Sequence, residues 1–336
     1  MPVTKGLKLG QKALRSVIGE DSKVERYIKR RYMKRARHRV KVESGAGWFQ
    51  KAGNGFALIG ESEEFGGPRR GVAMRGGCDL PSLFTGVPLM REGIKGSLAI
   101  SRERTGGLGA YATSQVVQTL NDIPDEATRE LCSRLDINND QFKPSFWGTA
   151  LQYPLEEQHG EFPRTVVVMS GGTDVIRTLY RHREHGYVVD PGGWWLNQNL
   201  NEVLGDLGNV EWFRKTFEKV GRISVDDYMT NVTTIVNELR SRANAEPVIY
   251  TTLVVDPEDL THNYQLVKQS AVTRRREFHI ALLELSQKLD FHVVDVDRIL
   301  KKAGVDEQVD FAHFTVEGMK PVGAEFARIL RELEVI

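Results

Sequence analysis

Five short apolar runs alternate with longer segments of helical pattern, and this alternation limits what the chain can fold into more than any other feature. The runs are GFALIG (55–60), SLAIS (97–101), TVVVMS (165–170), PVIYTTLVV (247–255) and FHVVDV (291–296). Each is continuous rather than alternating, the pattern of a strand covered on both faces in a parallel sheet. Between them, TSQVVQTLND (113–122), VDDYMTNVTTIVNELRSRA (225–243) and NYQLVKQSAVTRRREFHIALLELSQKL (263–289) read as helices, and VGAEFARILRELEVI closes the chain. Five strands alternating with helices predict a three-layer α/β/α domain around a doubly wound parallel five-stranded sheet. In such sheets, ligands bind beyond the carboxyl ends of the strands.

The 336 residues supply ample chain for a core, and no apolar run approaches the roughly 18 residues of a membrane span. The first residues lack the continuous apolar stretch of a signal peptide, so the expected location is the cytoplasm. Cys78 and Cys132 are the only cysteines. They stand far apart and form no CxxC, which indicates neither a zinc site nor a disulfide framework.

A net charge of +1 hides an asymmetry. Residues 1–41 hold 14 Lys and Arg against Glu20, Asp21 and Glu25, leaving 32 basic and 42 acidic residues for the remainder. The division is a basic arm, 1–45, and an acidic body, 46–336. Within the arm, Val24, Tyr27, Ile28, Tyr32 and Ala36 fall near one face of a helix predicted over 22–41. That helix suits docking on the acidic body, a second subunit in a homo-oligomer, an acidic partner or an anionic membrane surface, where the protein would sit peripherally. Nucleic acid ranks below these, because the arm carries no reading motif.

Two inserts exceed ordinary connections: the glycine-rich 66–96 and the stretch 176–224, with GYVVDPGGWW. Such lengths read as lids or binding loops. The residues just past the strand ends carry the chemistry. Gly60-Glu61-Ser62 follows the first run, RTGGLGAYATSQ (104–115) the second and SGGTDV (170–175) the third, while DFAHFTVEGMKPVG (310–323) precedes the last helix. Converging on one edge, they would supply a hydroxyl, backbone N–H groups at a helix N-terminus, a polar side chain and an Asp–His pair. A serine hydroxyl needs a base to take its proton. His313 can serve, with Asp310 orienting it and stabilising the imidazolium. The oxyanion needs preorganised donors, for which the backbone N–H groups of Ser62 and Gly109 and the side chain of Thr173 are candidates.

These segments resemble the blocks of the SGNH hydrolases, the GDSL-like esterases and lipases. Gly60 to Gly66, GESEEFG, is similar to the G-D-S-x-x-x-G nucleophile block, with Glu61 in place of Asp. Gly109 is the best match to the oxyanion glycine, and Gly96 in GIKGS is its rival. Gly171-Gly172-Thr173-Asp174 matches G-x-N-D with Thr173 in place of the oxyanion asparagine, and Asp310 and His313 match D-x-x-H. The resemblance covers roughly residues 52–336. It implies a flavodoxin-like fold of SGNH type and hydrolysis of an acyl ester, or acyl transfer, through a Ser62–His313–Asp310 triad. No metal or cofactor is implied, and the substrate would be a small-molecule or carrier-bound acyl ester. The segment is not the G-x-S-x-G elbow of the α/β-hydrolases, since Glu64 occupies the second glycine position.

Each residue also has a plainer reading. Thr173 can simply cap a helix. Asp174 is a structural anchor or a substrate contact, and Glu61, Trp194 and Trp195 complete the candidate substrate contacts. His182 and His185 in RHREH read as solvated residues of a charged helix, and TRRREF (273–278) as a solvated helix face. Glu61, Glu63 and Glu64 at the mouth of the site would disfavour anionic substrates. The alternative to catalysis is a binding module, weakened by the loss of the asparagine and recruited through its basic arm.

Overall fold

The computed structural model describes residues 54–60, 70–75, 83, 97–103, 112–120, 123–134, 165–190, 200–204, 206–243, 245–251, 269–303 and 316–333. The basic arm lies outside them. In chain order the described strands are β1 (Asn54–Gly60), β2 (Arg70–Arg75), β3 (Ser97–Glu103), β4 (Thr165–Ser170), β5 (Leu179–His182), β6 (Val188–Val189), β7 (Phe217–Gly221), β8 (Ala245–Tyr250) and β9 (His292–Val294). The helices are α1 (Thr113–Leu120), α2 (Asp125–Arg134), α3 (Thr173–Ile176), α4 (Leu200–Leu204), α5 (Leu207–Thr216), α6 (Val225–Ala243), α7 (Gln269–Leu289), α8 (Val296–Ala303) and α9 (Val316–Glu332). The chain is therefore mixed α/β.

Among the described residues, one sheet has six strands in the order β3–β1–β2–β4–β8–β9. β4 pairs in parallel with β2 and with β8, and β8 in parallel with β9. These parallel pairings match the expectation from continuous apolar runs. The strand count and the direction of β1 do not. β1 runs antiparallel to both neighbours, with Ile59 opposite Arg70 and Leu98 and with Gly55 opposite Met74 and Arg102. The physical reason is a strand the sequence reading missed. RGVAMR becomes β2 inside the 66–96 insert, so only residues 61–69 link it to β1. Nine residues suffice for an antiparallel return, whereas a parallel crossover needs a dozen or more.

Val166 to Ser170 of β4 and all of β8 are buried, so both faces of these strands are covered. On one face Val167, Met169, Ala245 and Ile249 pack with Val116 and Leu120 of α1, Tyr228, Val232, Ile235 and Leu239 of α6, and Phe278, Leu282 and Leu285 of α7. Each Val, Leu, Ile, Phe or Met among them contributes about 1.5–3 kcal/mol on leaving water. α8 packs on α9, and α9 contacts β9.

The helix ends have identifiable stops. Ser224 and Asp227 form a capping box before α6: Ser224 Oγ accepts from the Asp227 N–H at 3.0 Å, and the Ser224 N–H donates to Asp227 Oδ2 at 3.2 Å. In the last turn of α6, Arg240 donates to the carbonyls of Leu289 and Asp290 and to Glu246, tying α6 to α7 and β8. α7 ends where Asp290 turns left-handed at φ 54, a position that usually takes glycine or asparagine. α9 starts at Val316, earlier than the sequence reading placed it, and carries Pro321 inside it. Met319, Val322, Phe326 and Ile329 form a buried stripe at helical spacing, and their burial outweighs the one N–H that proline removes.

The described part of the 176–224 insert is a packed unit rather than an open loop. β5 pairs with β6 and β7 to give an antiparallel sheet in the order β6–β5–β7. Its core joins Leu131 and Cys132 of α2 to Tyr187, Val189, Leu204, Val210, Phe213 and Phe217. Phe213 and Phe217 stack at 4.5 Å, and Arg134 lies 4.9 Å over the Trp212 ring. Gln118 of α1 meets the outer edge of this sheet: its Nε2 donates to the Val188 carbonyl at 2.7 Å, and its Oε1 accepts from the Val188 N–H at 2.8 Å.

Two charged runs differ from their sequence reading. RHREH is the end of β5 and a turn, not a helix, and His182 is buried. Its Nδ1 accepts from the N–H groups of Glu184 and His185 at 3.2 and 3.1 Å, and its ring stacks 4.9 Å from Tyr187. The turn needs that acceptor, which is why an imidazole sits inside. TRRREF is split by the helix: Arg275 is fully buried, while Thr273, Arg276 and Glu277 are exposed. Burial pushes the Arg275 guanidinium down to about 10. Period, not charge, decides which arginine faces inward.

Candidate functional site

The site builds from the end of β4. Ser170 closes the strand, and the Gly171 N–H donates to the Tyr250 carbonyl at 2.8 Å, fastening the SGGTD turn to the end of β8. A Cβ at Gly171 would stand 3.0 Å from Tyr228 Oη and 3.4 Å from both Ile249 Cγ2 and the Tyr250 carbonyl. Close approach favours glycine here, since a Cβ would press on Tyr228. Next to it, the Thr251 N–H donates to the Val294 carbonyl at 3.1 Å, and Thr251 Oγ1 accepts from the Val296 N–H at 2.9 Å. The carboxyl ends of β4, β8 and β9 are thus knitted into one rim.

Thr173 opens α3, and Asp174 follows it. Asp174 is buried, and its carboxylate reaches the N-terminus of α1. The Thr113 N–H donates to both carboxylate oxygens at 3.0 Å, and the Thr113 hydroxyl donates to Oδ1 at 2.8 Å. A carboxylate there also faces the positive end of the α1 dipole. Gln115 serves the neighbouring donor, accepting from the Ala112 N–H at 3.2 Å. Asn231 of α6 backs the contact, its Nδ2 donating to the hydroxyls of Thr113 at 3.1 Å and Ser114 at 2.9 Å.

The backbone of the same turn is held from the other side. Arg274 of α7 donates to the carbonyls of Val175 at 3.0 Å, Asp174 at 3.3 Å and Ile223. Its guanidinium lies 4.3 Å over the Phe278 ring. Burial is the largest influence on the Asp174 carboxyl and pushes it up to about 6, against the lowering effect of the Thr113 hydrogen bonds and of Arg274. Burial and the nearby Asp174 charge push the Tyr228 phenol far above its ordinary range.

These contacts bring together two of the four segments read from the sequence: SGGTD, and the helix that follows the glycine-rich turn. Asp174 makes the contacts of an anchor. Glu61, Ser62, Gly96, Gly109, Trp194, Trp195, Asp310 and His313 lie outside the described residues. Gly60, two residues before Ser62, is described. Because β1 is antiparallel to β2, and β2 parallel to β4, Gly60 ends at the edge opposite Ser170. β3 runs the other way: Glu103 pairs with Asn54 at the same edge as Ser170.

Thr113, Tyr228, Asn231 and Arg274 were not singled out from the sequence. The one legible signal was Asn231, a polar residue between Tyr228 and Val232 on a helix face that is otherwise apolar. Among the described residues, no group of three His, Cys, Asp or Glu could hold a metal ion, and no helix is long and apolar enough to cross a membrane. The chain matches no protein-family model and no curated protein.

Proposed function

We propose that the chain is an SGNH-like serine hydrolase or acyltransferase, built on the three-layer, doubly wound arrangement of that family. Ser62 attacks the acyl carbonyl, His313 takes and returns the proton, and Asp310 orients His313. The backbone N–H groups of Ser62 and Gly109, with Thr173, hold the oxyanion. The observation that carries the reading is the Thr113–Asp174 contact, which draws the third sequence block against the helix that follows the second. Preorganised donors aimed at developing negative charge are usually the largest single contribution to acyl transfer. Burial of β4 and β8 on both faces supports the layered arrangement. The test is labelling of the purified protein by a fluorophosphonate probe beside Ser62→Ala. Labelling of the parent alone supports the reading, and equal labelling of both overturns it.

The direction of β1 favours a second reading. With Gly60 at the opposite edge, the rim beyond β4, β8 and β9 works as a binding surface without Ser62, and the basic arm recruits the partner. Thr173 standing where the family has asparagine agrees with this. A parent and a Thr173→Asn variant both inert towards a broad ester panel decide for binding, and hydrolysis by either overturns it.

A further inference from the structure

Asn231 and Arg274 come from two helices packed against each other; Asn231 gives both of its side-chain bonds to the first turn of α1, and Arg274 gives two of its three to the SGGTD turn and the third to the Ile223 carbonyl. Asn231 sits among Tyr228, Val232 and Ile235, which are buried, and a polar amide there costs free energy unless bonded. Its two bonds end on the hydroxyls of Thr113 and Ser114, in the first turn of α1. The Thr113 hydroxyl accepts from Asn231 and donates to Asp174, so it relays the position of α6 to the turn. Arg274 grips the same turn by its backbone. Three carbonyls from two segments converge on one planar guanidinium, a geometry a lysine cannot reproduce.

We propose that Asn231 and Arg274 are positioning residues of the acyl site, fixing the SGGTD turn against the first turn of α1; this rests on the hydrolase reading above. Neither touches the reacting atoms. Thr173 lies on the turn that Arg274 holds, and Gly109 lies four residues before Thr113 in the sequence. Oxyanion donors on two separate segments act together only if the segments keep their spacing to a fraction of an ångström. α6 and α7 supply the rigid reference.

The test uses the full chain and the variants Asn231→Ala, Arg274→Met and Arg274→Lys. p-Nitrophenyl acetate gives kcat and KM, and hydrogen exchange follows the Thr113 amide and residues 170–176. We expect kcat to fall about 10- to 100-fold in Asn231→Ala and Arg274→Met with KM within about 2-fold, the cost of a displacement near 1 Å. Arg274→Lys recovers little, because it lacks the fork. Exchange at Thr113 rises about 10-fold or more in Asn231→Ala, as local opening becomes easier. Unchanged exchange overturns the inference whatever the activity. Raised exchange with unchanged kcat overturns it too, since the residues would then only stabilise the fold. If the parent is inert and labels no differently from Ser62→Ala, the hydrolase reading falls, and with it the acyl site these residues are said to serve. A rise in exchange would then show that the junction itself depends on Asn231.

Discussion

The Thr113 hydroxyl donates to the carboxylate of Asp174 at 2.8 Å, across a separation of 61 residues. The backbone N–H of the same threonine donates to both oxygens of that carboxylate. One residue therefore satisfies a buried charge from two directions, and its hydroxyl also accepts from Asn231. Removing the hydroxyl without changing the shape isolates its share. Thr113→Val should destabilise the fold by about 1–3 kcal/mol, because a buried carboxylate and an amide donor each lose a partner. Thr113→Ser should cost less than half as much. Urea unfolding of the three proteins at neutral pH checks this, and equal midpoints for Val and Ser would show the hydroxyl to be idle.

Asp174 links stability to pH in an unusual direction. Its carboxyl is raised from 3.8 to about 6 in the folded chain, so folding favours the protonated form. Its contribution is fully present below the unfolded value and is lost as pH rises through about 6. By linkage this amounts to roughly 3 kcal/mol between acid and neutral pH. Asp174→Asn lacks the titration. Parent stability minus variant stability should therefore fall between pH 4 and pH 7, and urea unfolding across that range measures the difference. A flat difference would mean that burial does not perturb the carboxyl.

His182 has the opposite sign. Burial is the main cause that lowers its imidazole below 6.5, followed by His185, and Nδ1 accepts two N–H bonds that only a ring unprotonated at that nitrogen can take. Its contribution is present above the unfolded value and is lost as pH falls through the folded one. His182→Asn keeps an acceptor but cannot titrate in this range. The parent should lose stability below about pH 6.5 more steeply than the variant. Thermal unfolding at pH 5 and pH 7.5 provides the comparison.

Gly171→Ala tests the close approach at the end of β4. The new methyl would meet Tyr228 Oη at 3.0 Å, and the Tyr228 ring is itself held 4.8 Å from Phe278. Overpacking should cost about 1–3 kcal/mol. Tyr228→Phe removes the nearest atom, so the double variant should recover part of that loss. A double variant no better than Gly171→Ala would put the strain on Ile249 or the Tyr250 carbonyl instead.

What could be read from the sequence follows from how local each determinant is. β4 coincides with TVVVMS, and α6 with 225–243, because a continuous apolar run and a capped amphipathic helix declare themselves over a few residues. RGVAMR, LYRH and FEKVG are short, carry charged residues and are only partly apolar, so β2 and β7 looked like loop and the end of β5 like a charged helix. Missing β2 also hid the direction of β1, which is set by the length of residues 61–69 rather than by the residues of β1. The Asp174 partner was invisible for a different reason. Nothing in SGGTD specifies which of the chain's helices will lend its first N–H. The same holds for Arg274 and Arg275, adjacent letters of one charged run that the helical period sends to a turn and to the interior.

Gln118 meets both backbone groups of Val188 at the outer edge of the small sheet. A primary amide has the donor and acceptor of a peptide group, so this one side chain occupies the seat of a missing fourth strand. An unclaimed sheet edge is an invitation to a neighbouring chain. Here the invitation is withdrawn by α1. Loss of that amide would leave the fold's core untouched and still change how the protein behaves in company, turning a closed border into one open to strand exchange between molecules.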